Sequence, residues 1–345
     1  MNNDEKQVSK KQDSYLHLLD TIGQAFMDAR RRAIGMVHNE QVRAYWNIGR
    51  HIVEYEQDGI PKAEYGTALL ERLADDLRKR HGHGFSRSNV SYMRLFYVKY
   101  PICETLSHKL TWSHYFELLK ISNDLERFFY EKQCISENWS VRDLKRQKKT
   151  ALFLRLMHNN DKEKLMKISR NGQELEHPED LLKDPYIFEF LGISEDIKPL
   201  ESDLERRIIS NLQQFLLELG KGFAFIARQH RITIANVHYR VDLVFYHRIL
   251  KCFVLIDLKV NEVEHNDIGQ MNMYLNYFKE EESAKDDNEP IGIILATDKD
   301  EILVKYATGG LSRKIFVSRY QTYLPDRKLL EERIKTLMEA EGAIP

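Results

Sequence analysis

Cysteine is scarce in this 345-residue chain. Cys103, Cys134 and Cys252 stand far apart with no C-x-x-C pair, which argues against a disulfide framework or a structural zinc site and fits a reducing cytoplasm. Long apolar runs are absent as well. None approaches the roughly 18–20 residues that span a bilayer, so membrane insertion is not expected. The N-terminal MNNDEKQVSKKQDS is polar and lacks the apolar region of a signal peptide. There is no surplus of one charge: 52 Lys and Arg against 53 Asp and Glu leave a net −1, so a nucleic-acid partner has to be argued from local patches. No internal repeat is present. What remains is an ordinary soluble composition, 30% charged and 42% hydrophobic, long enough for about two domains.

Residues 1–13 read as a disordered tail. From Ser14 to about residue 150 the pattern is helical, which predicts an all-α domain over 14–150. In YGTALLERLADDLRKRHG, Leu69, Leu70, Leu73 and Leu77 share one face, and Gly82 or Gly84 can end the helix. Ser86 or Ser88 can cap the next helix, which Pro101 stops. Two helices joined by a short Gly-containing turn make a helix-turn-helix candidate. Further helices are expected near 112–120, 123–136 and 140–150. Residues 151–200 read as a helical connector. After residue 200, LERRIISNLQQFLLELG is an amphipathic helix, and FAFIARQHRITI, HYRVDLVFYH and CFVLIDLKV are strand-like. EHNDIGQMNMYLNYF returns to a helix and IGIILAT to a buried strand. The expected fold is therefore α+β multidomain: a helical N-terminal domain, then an α/β core of αβββαβ order over 201–330, with a helix or tail over 331–345.

Asp257 and Lys259 sit two apart on a strand and so leave the same face. Asp242 lies on the preceding strand and can sit beside Asp257 if the two strands pair. A lone D-x-K on a strand is more often an ion pair, and Asp242 alone could cap a strand. Together they are three ionisable groups inside two apolar strands, where a carboxylate is costly unless paired or metal-bound. Two converging carboxylates suit a hard cation such as Mg2+, and a neighbouring lysine can polarise water or stabilise a pentacovalent phosphate.

The stretches FLLELGKGFAFIARQHRI, YRVDLVFYHRILKCFVLIDLKV and GQMNMYLNYF resemble the YhcG-like family of PD-(D/E)xK nucleases. YGTALLERLADDLRKRHGHGFSRSNVSYMRLFY, LTWSHYFELL and NWSVRDLKRQ resemble that family's helical N-terminal domain, and the likeness spans roughly residues 14–330. The resemblance implies a restriction-endonuclease-like core. It implies that Asp242 and Asp257 are metal ligands, that Lys259 is the catalytic lysine, and that Gln270 and Glu205 complete the site. Glu218 competes with Glu205 as the helix carboxylate, and its plainer reading is a solvated helix residue. The family often has glutamate where Asp257 stands, which shortens the reach to a metal by one methylene.

Two local patches are basic. Residues 78–99 carry Arg78, Lys79, Arg80, Arg87, Arg94 and Lys99 with no acid, and 140–149 carry Arg142, Lys145, Arg146, Lys148 and Lys149 against one acid. Such clusters are an electrostatic footprint for phosphate, so Arg78, Lys79, Arg80, Arg87, Arg94, Lys99, Arg142, Lys145 and Arg146 are the expected nucleic-acid contacts; a solvated helix face is the bland alternative. His81 and His83 have no third ligand, and Trp46, Trp112 and Trp139 read as packing residues. The expected activity is a cytoplasmic endonuclease that uses Mg2+, or else Mn2+, on DNA, with RNA left open. The expected assembly is a homodimer, in genome defence or alongside restriction–modification components. The rival reading is a binding module with a nuclease fold and little cleavage.

Overall fold

The computed structural model describes residues 3–57, 66–158, 177–194, 199–298, 300, 304, 314–328, 330 and 332. The middle of the expected connector and, apart from Glu332, the expected C-terminal tail lie outside them. The chain divides into two compact units, Met1–Arg127 and Phe128–Pro345.

The first unit is helical. Helix α1 runs over Asn3–Gln57, α2 over Gly66–His81, α3 over Arg87–Lys99 and α4 over Trp112–Leu118. The stretch read as a disordered tail thus extends α1: it holds Glu, Lys and Gln, which are good helix formers, and no Gly or Pro before Gly23. Among the described side chains of α1, the buried ones lie in its second half and include Val42, Trp46, Ile52 and Val53. It crosses α3 so closely that a Cβ on Gly49 would lie 2.0 Å from the Met93 carbonyl oxygen, a position only glycine can fill. Val90, Met93 and Phe96 of α3 are fully buried, and Trp46 donates from Nε1 to the Tyr100 carbonyl at 2.6 Å. Ser86 caps α3 by accepting from the Asn89 backbone N–H.

The second unit contains helices α5 (Asp124–Glu137, which begins in the first unit), α6 (Val141–Lys149) and α7 (Leu152–His158), then the nuclease-like core. Compactness therefore changes at Phe128, upstream of the expected boundary near residue 150. The reason is a set of buried contacts. Arg155 Nη1 meets Glu218 Oε1 at 2.7 Å, and Gln147 Nε2 donates to the Leu217 carbonyl at 3.0 Å.

The core helix expected over LERRIISNLQQFLLELG is two helices, α8 (Glu201–Ser210) and α9 (Leu212–Leu219), broken at Asn211, whose φ of −121° and ψ of 33° are not helical. The sheet has six strands in the order β1-β6-β5-β4-β3-β2. These are β1 Tyr186–Ile187, β2 Phe223–Ile234, β3 Val237–His247, β4 Cys252–Leu258, β5 Ile291–Ala296 and β6 Ile315–Gln321. Strands β2, β3 and β4 pair antiparallel; β4–β5, β5–β6 and β1–β6 pair parallel. Helix α10 (His265–Tyr277) links β4 to β5. Strand β1, from within the expected connector, and β6 are additions to the sequence reading.

Each face of the sheet is covered. Val254, Ile256 and Leu258 pack with Leu204, Ile208, Phe215 and Leu219 of α8 and α9. Leu255 and Ile294 pack with Ile268, Met271 and Tyr274 of α10. Double-sided burial explains the unbroken apolar runs of β4 and β5. Helix α10 lies so near β5 that a Cβ on Gly292 would meet Met271 Sδ at 2.7 Å.

Candidate active site

Strands β3 and β4 pair with Leu243 opposite Ile256, so one further step sets Asp242 opposite Asp257. Alternation along β4 turns Asp257 to the side of Leu255, towards α10. The two carboxyls lie within hydrogen-bonding reach of each other. Asp242 is fixed from two sides: Oδ2 accepts from the Leu258 backbone N–H at 2.9 Å, and Oδ1 accepts from Gln229 Nε2 at 2.9 Å. Lys259 Nζ stands 3.0 Å from Asp257 Oδ2 and 3.4 Å from Asp267 Oδ1, while its backbone N–H donates to Leu295 of β5 at 2.8 Å. The lysine is thereby held at the mouth of the sheet with its ammonium turned to the acids.

Electrostatics set the carboxyls against each other. Burial, and then the facing Asp242 carboxylate, push Asp257 up to about 7 despite Lys259. Asp242 is also raised, chiefly by burial. Burial would favour a neutral Lys259, but Asp257 and Asp267 outweigh it and hold the ammonium charged. Near neutral pH Asp257 therefore keeps a proton part of the time, which a cation could replace.

The remaining expected residues take distinct places. Glu205, on α8, is buried and accepts from Gln229 Nε2 through Oε2 at 2.8 Å. Its Oε1 is buried without a hydrogen-bond partner, 3.5 Å from Arg228 Nε. Glu218 is neither at the site nor solvated: it is fully buried, and Arg155 and Arg146 bind it at 2.7 and 3.3 Å. The geometry thus brings Glu205, not Glu218, towards Asp242. Gln270, on α10, donates to the Tyr274 hydroxyl, which in turn donates to the Arg240 carbonyl at 3.1 Å.

Asp267, beside Lys259, escaped the sequence reading, as did Tyr274 and Gln229. Tyr274 follows Gln270 by one helical turn, a spacing visible in the chain. Gln229 bridges Glu205 and Asp242 with one amide nitrogen and adopts a left-handed φ of 48° inside β2. Around it the alternation of β3 breaks, since Val241 and Val244 face the α10 layer and Leu243 faces the α8–α9 layer. Such a backbone costs about 1–3 kcal/mol and persists where surrounding contacts impose it.

The donor set fits a divalent cation. Its ligating atoms are all carboxylate oxygens, as hard cations prefer, and Glu205 Oε1 is buried with no hydrogen bond, its Arg228 partner lying 3.5 Å away. Among the described residues no three His, Cys, Asp or Glu side chains converge on one metal position. That leaves Asp242 and Asp257 as the pair that would hold an ion.

The basic residues of the helical patches are scattered. Arg78 pairs with Asp75, Arg87 with Glu71, Arg94 with Glu56 and Lys99 with Asp124. Arg146 turns inward to Glu189 and Glu218, which withdraws it from solvent. Lys79, Arg80, Arg142 and Lys145 are exposed.

Residues 179–335 match the YhcG PDDEXK nuclease domain, and residues 21–155 match the DUF1016 N-terminal domain. The chain is 37% identical over 357 residues to the Escherichia coli (strain K12) protein named "Putative nuclease YhcG", covering 94% of this chain and 93% of that one. The chain belongs to the YhcG family of PDDEXK nucleases. Members of such nuclease families generally use divalent metals, in keeping with the carboxylate pair. A repair endonuclease from Pyrococcus abyssi aligns over 38% of this chain and 50% of that one, at 20% identity and a TM-score of 0.28, too low to carry an argument. No helix among the described residues is long and apolar enough to cross a membrane.

Proposed function

We propose that this YhcG-family chain is a Mg2+-dependent endonuclease that hydrolyses phosphodiester bonds in DNA. The observation that carries the reading is the convergence of Asp242, Asp257 and Lys259 where the β3–β4 pairing ends, with Lys259 Nζ 3.0 Å from Asp257. A divalent ion held by Asp242 and Asp257 supplies Lewis acidity and a bound water of lowered pKa. Lys259 places a fixed positive charge where negative charge grows on the phosphate. Gln229 holds Asp242 and Glu205 in register, and Tyr274 orients Gln270 at the rim. Mn2+ satisfies the same oxygen ligands.

Exposed Lys79, Arg80, Arg142 and Lys145 support phosphate contact by the helical patches and by the α2–α3 pair as a helix-turn-helix-like element. Three free cysteines, two of them buried, support a cytoplasmic setting. We extend the reading to a homodimer, because a duplex cut needs two such sites. The exposed apolar residues Leu18, Leu19, Ile22 and Phe26 on the first half of α1 are in keeping with it. Genome defence, alone or with restriction–modification components, is the role we assign.

The test is cleavage of supercoiled plasmid by the purified protein with Mg2+. Asp257→Asn and Lys259→Met should each lower the rate by a factor on the order of 100–1,000, the usual loss when a transition-state charge is removed. Binding without cleavage by the wild type would make the protein a binding module, and cleavage by both variants at the wild-type rate would end the enzyme reading of this site.

A further inference from the structure

The β2–β3 hairpin gives the site Gln229 and Asp242, and its remaining charge, which the chemistry derived above does not use, is one-sided. From Lys221 to Val241 there is no acidic residue, while Lys221, Arg228, Arg231 and Arg240 give the stretch four positive charges. Arg231 and Arg240 are directly opposed across the ladder, and the next pair on that face is Thr233 with His238. Their neighbours Ile232 and Val241 are fully buried towards α10, so Arg231 and Arg240, both exposed, leave the other face. That is the side of α8, where Arg228 stands 3.5 Å from Glu205. The arginines therefore run outward along the α8 side of the hairpin, beginning beside Glu205, on the face opposite to the one Asp257 takes.

Like charges set opposite one another in a ladder destabilise it. Nothing among the described residues relieves this pair: neither Arg231 nor Arg240 makes an ion pair, and Arg231 Nη2 instead meets His238 Nε2 at 2.7 Å. Protecting an edge strand explains one charge on β2, but not a second on β3, which is internal to the sheet. A glutamate at either position would protect the edge equally and remove the repulsion. An anion lying across both guanidiniums accounts for the pattern. Arg240 is two residues from Asp242, about 6.6 Å along a strand.

We propose that this face of the hairpin, through Arg228, Arg231 and Arg240, grips the phosphodiester backbone of a nucleic acid beside the carboxylate pair, on the Glu205 side of the sheet. The proposal rests on the nuclease reading of that pair. Its test is separate, since binding is measured without cleavage.

Full-length protein is titrated in EDTA into a fluorescein-labelled DNA duplex, and into an RNA duplex of the same sequence, at several salt concentrations, with anisotropy as the readout. The double variant Arg231→Ala/Arg240→Ala should bind at least about tenfold more weakly at low salt. Its plot of log affinity against log salt should be shallower by about 2, one phosphate per arginine. Arg231→Lys/Arg240→Lys should keep the wild-type slope, and an unchanged Tm in both variants shows that folding is intact. The duplex with the larger slope change is the true ligand. Wild-type affinity and slope in the alanine variant, or no binding of either duplex by the wild type, overturns the proposal. If the alanine variant binds like wild type and the wild type still cuts plasmid with Mg2+, the hairpin proposal falls and the nuclease reading stands. If the slope changes but nothing is cut, the reverse holds.

Discussion

A buried carboxyl that faces a second carboxyl keeps its proton to a higher pH than it would in the unfolded chain. Asp257 is raised from 3.8 to about 7, so between those values the metal-free folded protein binds a proton that the unfolded chain has released. Stability of the metal-free protein should therefore fall as pH rises through this window, and the loss is complete above about pH 7. Asp257→Asn removes the titration. In EDTA it should melt a few degrees above the wild type at pH 8 and show a flatter dependence of Tm on pH between 5 and 8. Wild-type protein with saturating Mg2+ should also lose the slope, because the ion replaces that proton. Parallel pH dependences for wild type and Asp257→Asn in EDTA would show that the two carboxyls do not interact as described. At this scale Asp242, Asp257 and Lys259 were legible because charges are conspicuous inside apolar strands. Gln229 was not. Its place depends on a left-handed backbone within a strand, and no residue type announces that conformation except glycine or asparagine.

Among the elements, the core strands β2 to β5 and helix α10 were readable from period and composition, since double-sided burial writes itself as continuous apolar sequence. Strand β1 is only two residues long and pairs with a strand more than 100 residues later, so no local pattern could reveal it. The break at Asn211 was hidden because the amphipathic stripe continues through it. Glu218 was misjudged for a related reason: its partners Arg155 and Arg146 come from helices some 60–70 residues upstream. Burial raises the Glu218 carboxyl, but Arg155, Lys183 and Arg146 more than offset it, and the net shift is downward. Lys183, also buried, is lowered to about 8. Removing one member of such a network strands the others, at a cost of about 3–5 kcal/mol. Glu218→Ala should thus lower the Tm of the second unit by about 10 °C. Arg155→Met with Glu218→Met should recover part of that loss. A Tm for Glu218→Ala within a degree or two of the wild type would mean that the network does not hold α7 to α9.

For the whole molecule, one carboxylate pair can cut one strand at a time, and the number of sites per particle decides how a plasmid is broken. A monomer nicks supercoiled DNA first, so open circles accumulate before linear product. A homodimer with two opposed sites can cut both strands in one encounter, and linear DNA then appears without a large open-circle pool. The dimer reading predicts the second time course together with a rate that rises more steeply than linearly with protein concentration below the dimerisation constant. Sedimentation at matching concentrations should show the two-chain species, 81.8 kDa from twice the 40.9 kDa chain, wherever linear product dominates. Placing an aspartate at Phe26, which is two-thirds exposed on α1, should lower the two-chain fraction and restore nicking as the main outcome, while each chain keeps its own site. Sedimentation as a single 40.9 kDa species under conditions that linearise plasmid would end the dimer reading and leave each chain to cut alone. It would also move the exposed apolar row of α1 out of catalysis, because a site complete within Asp242, Asp257 and Lys259 needs nothing from a second copy.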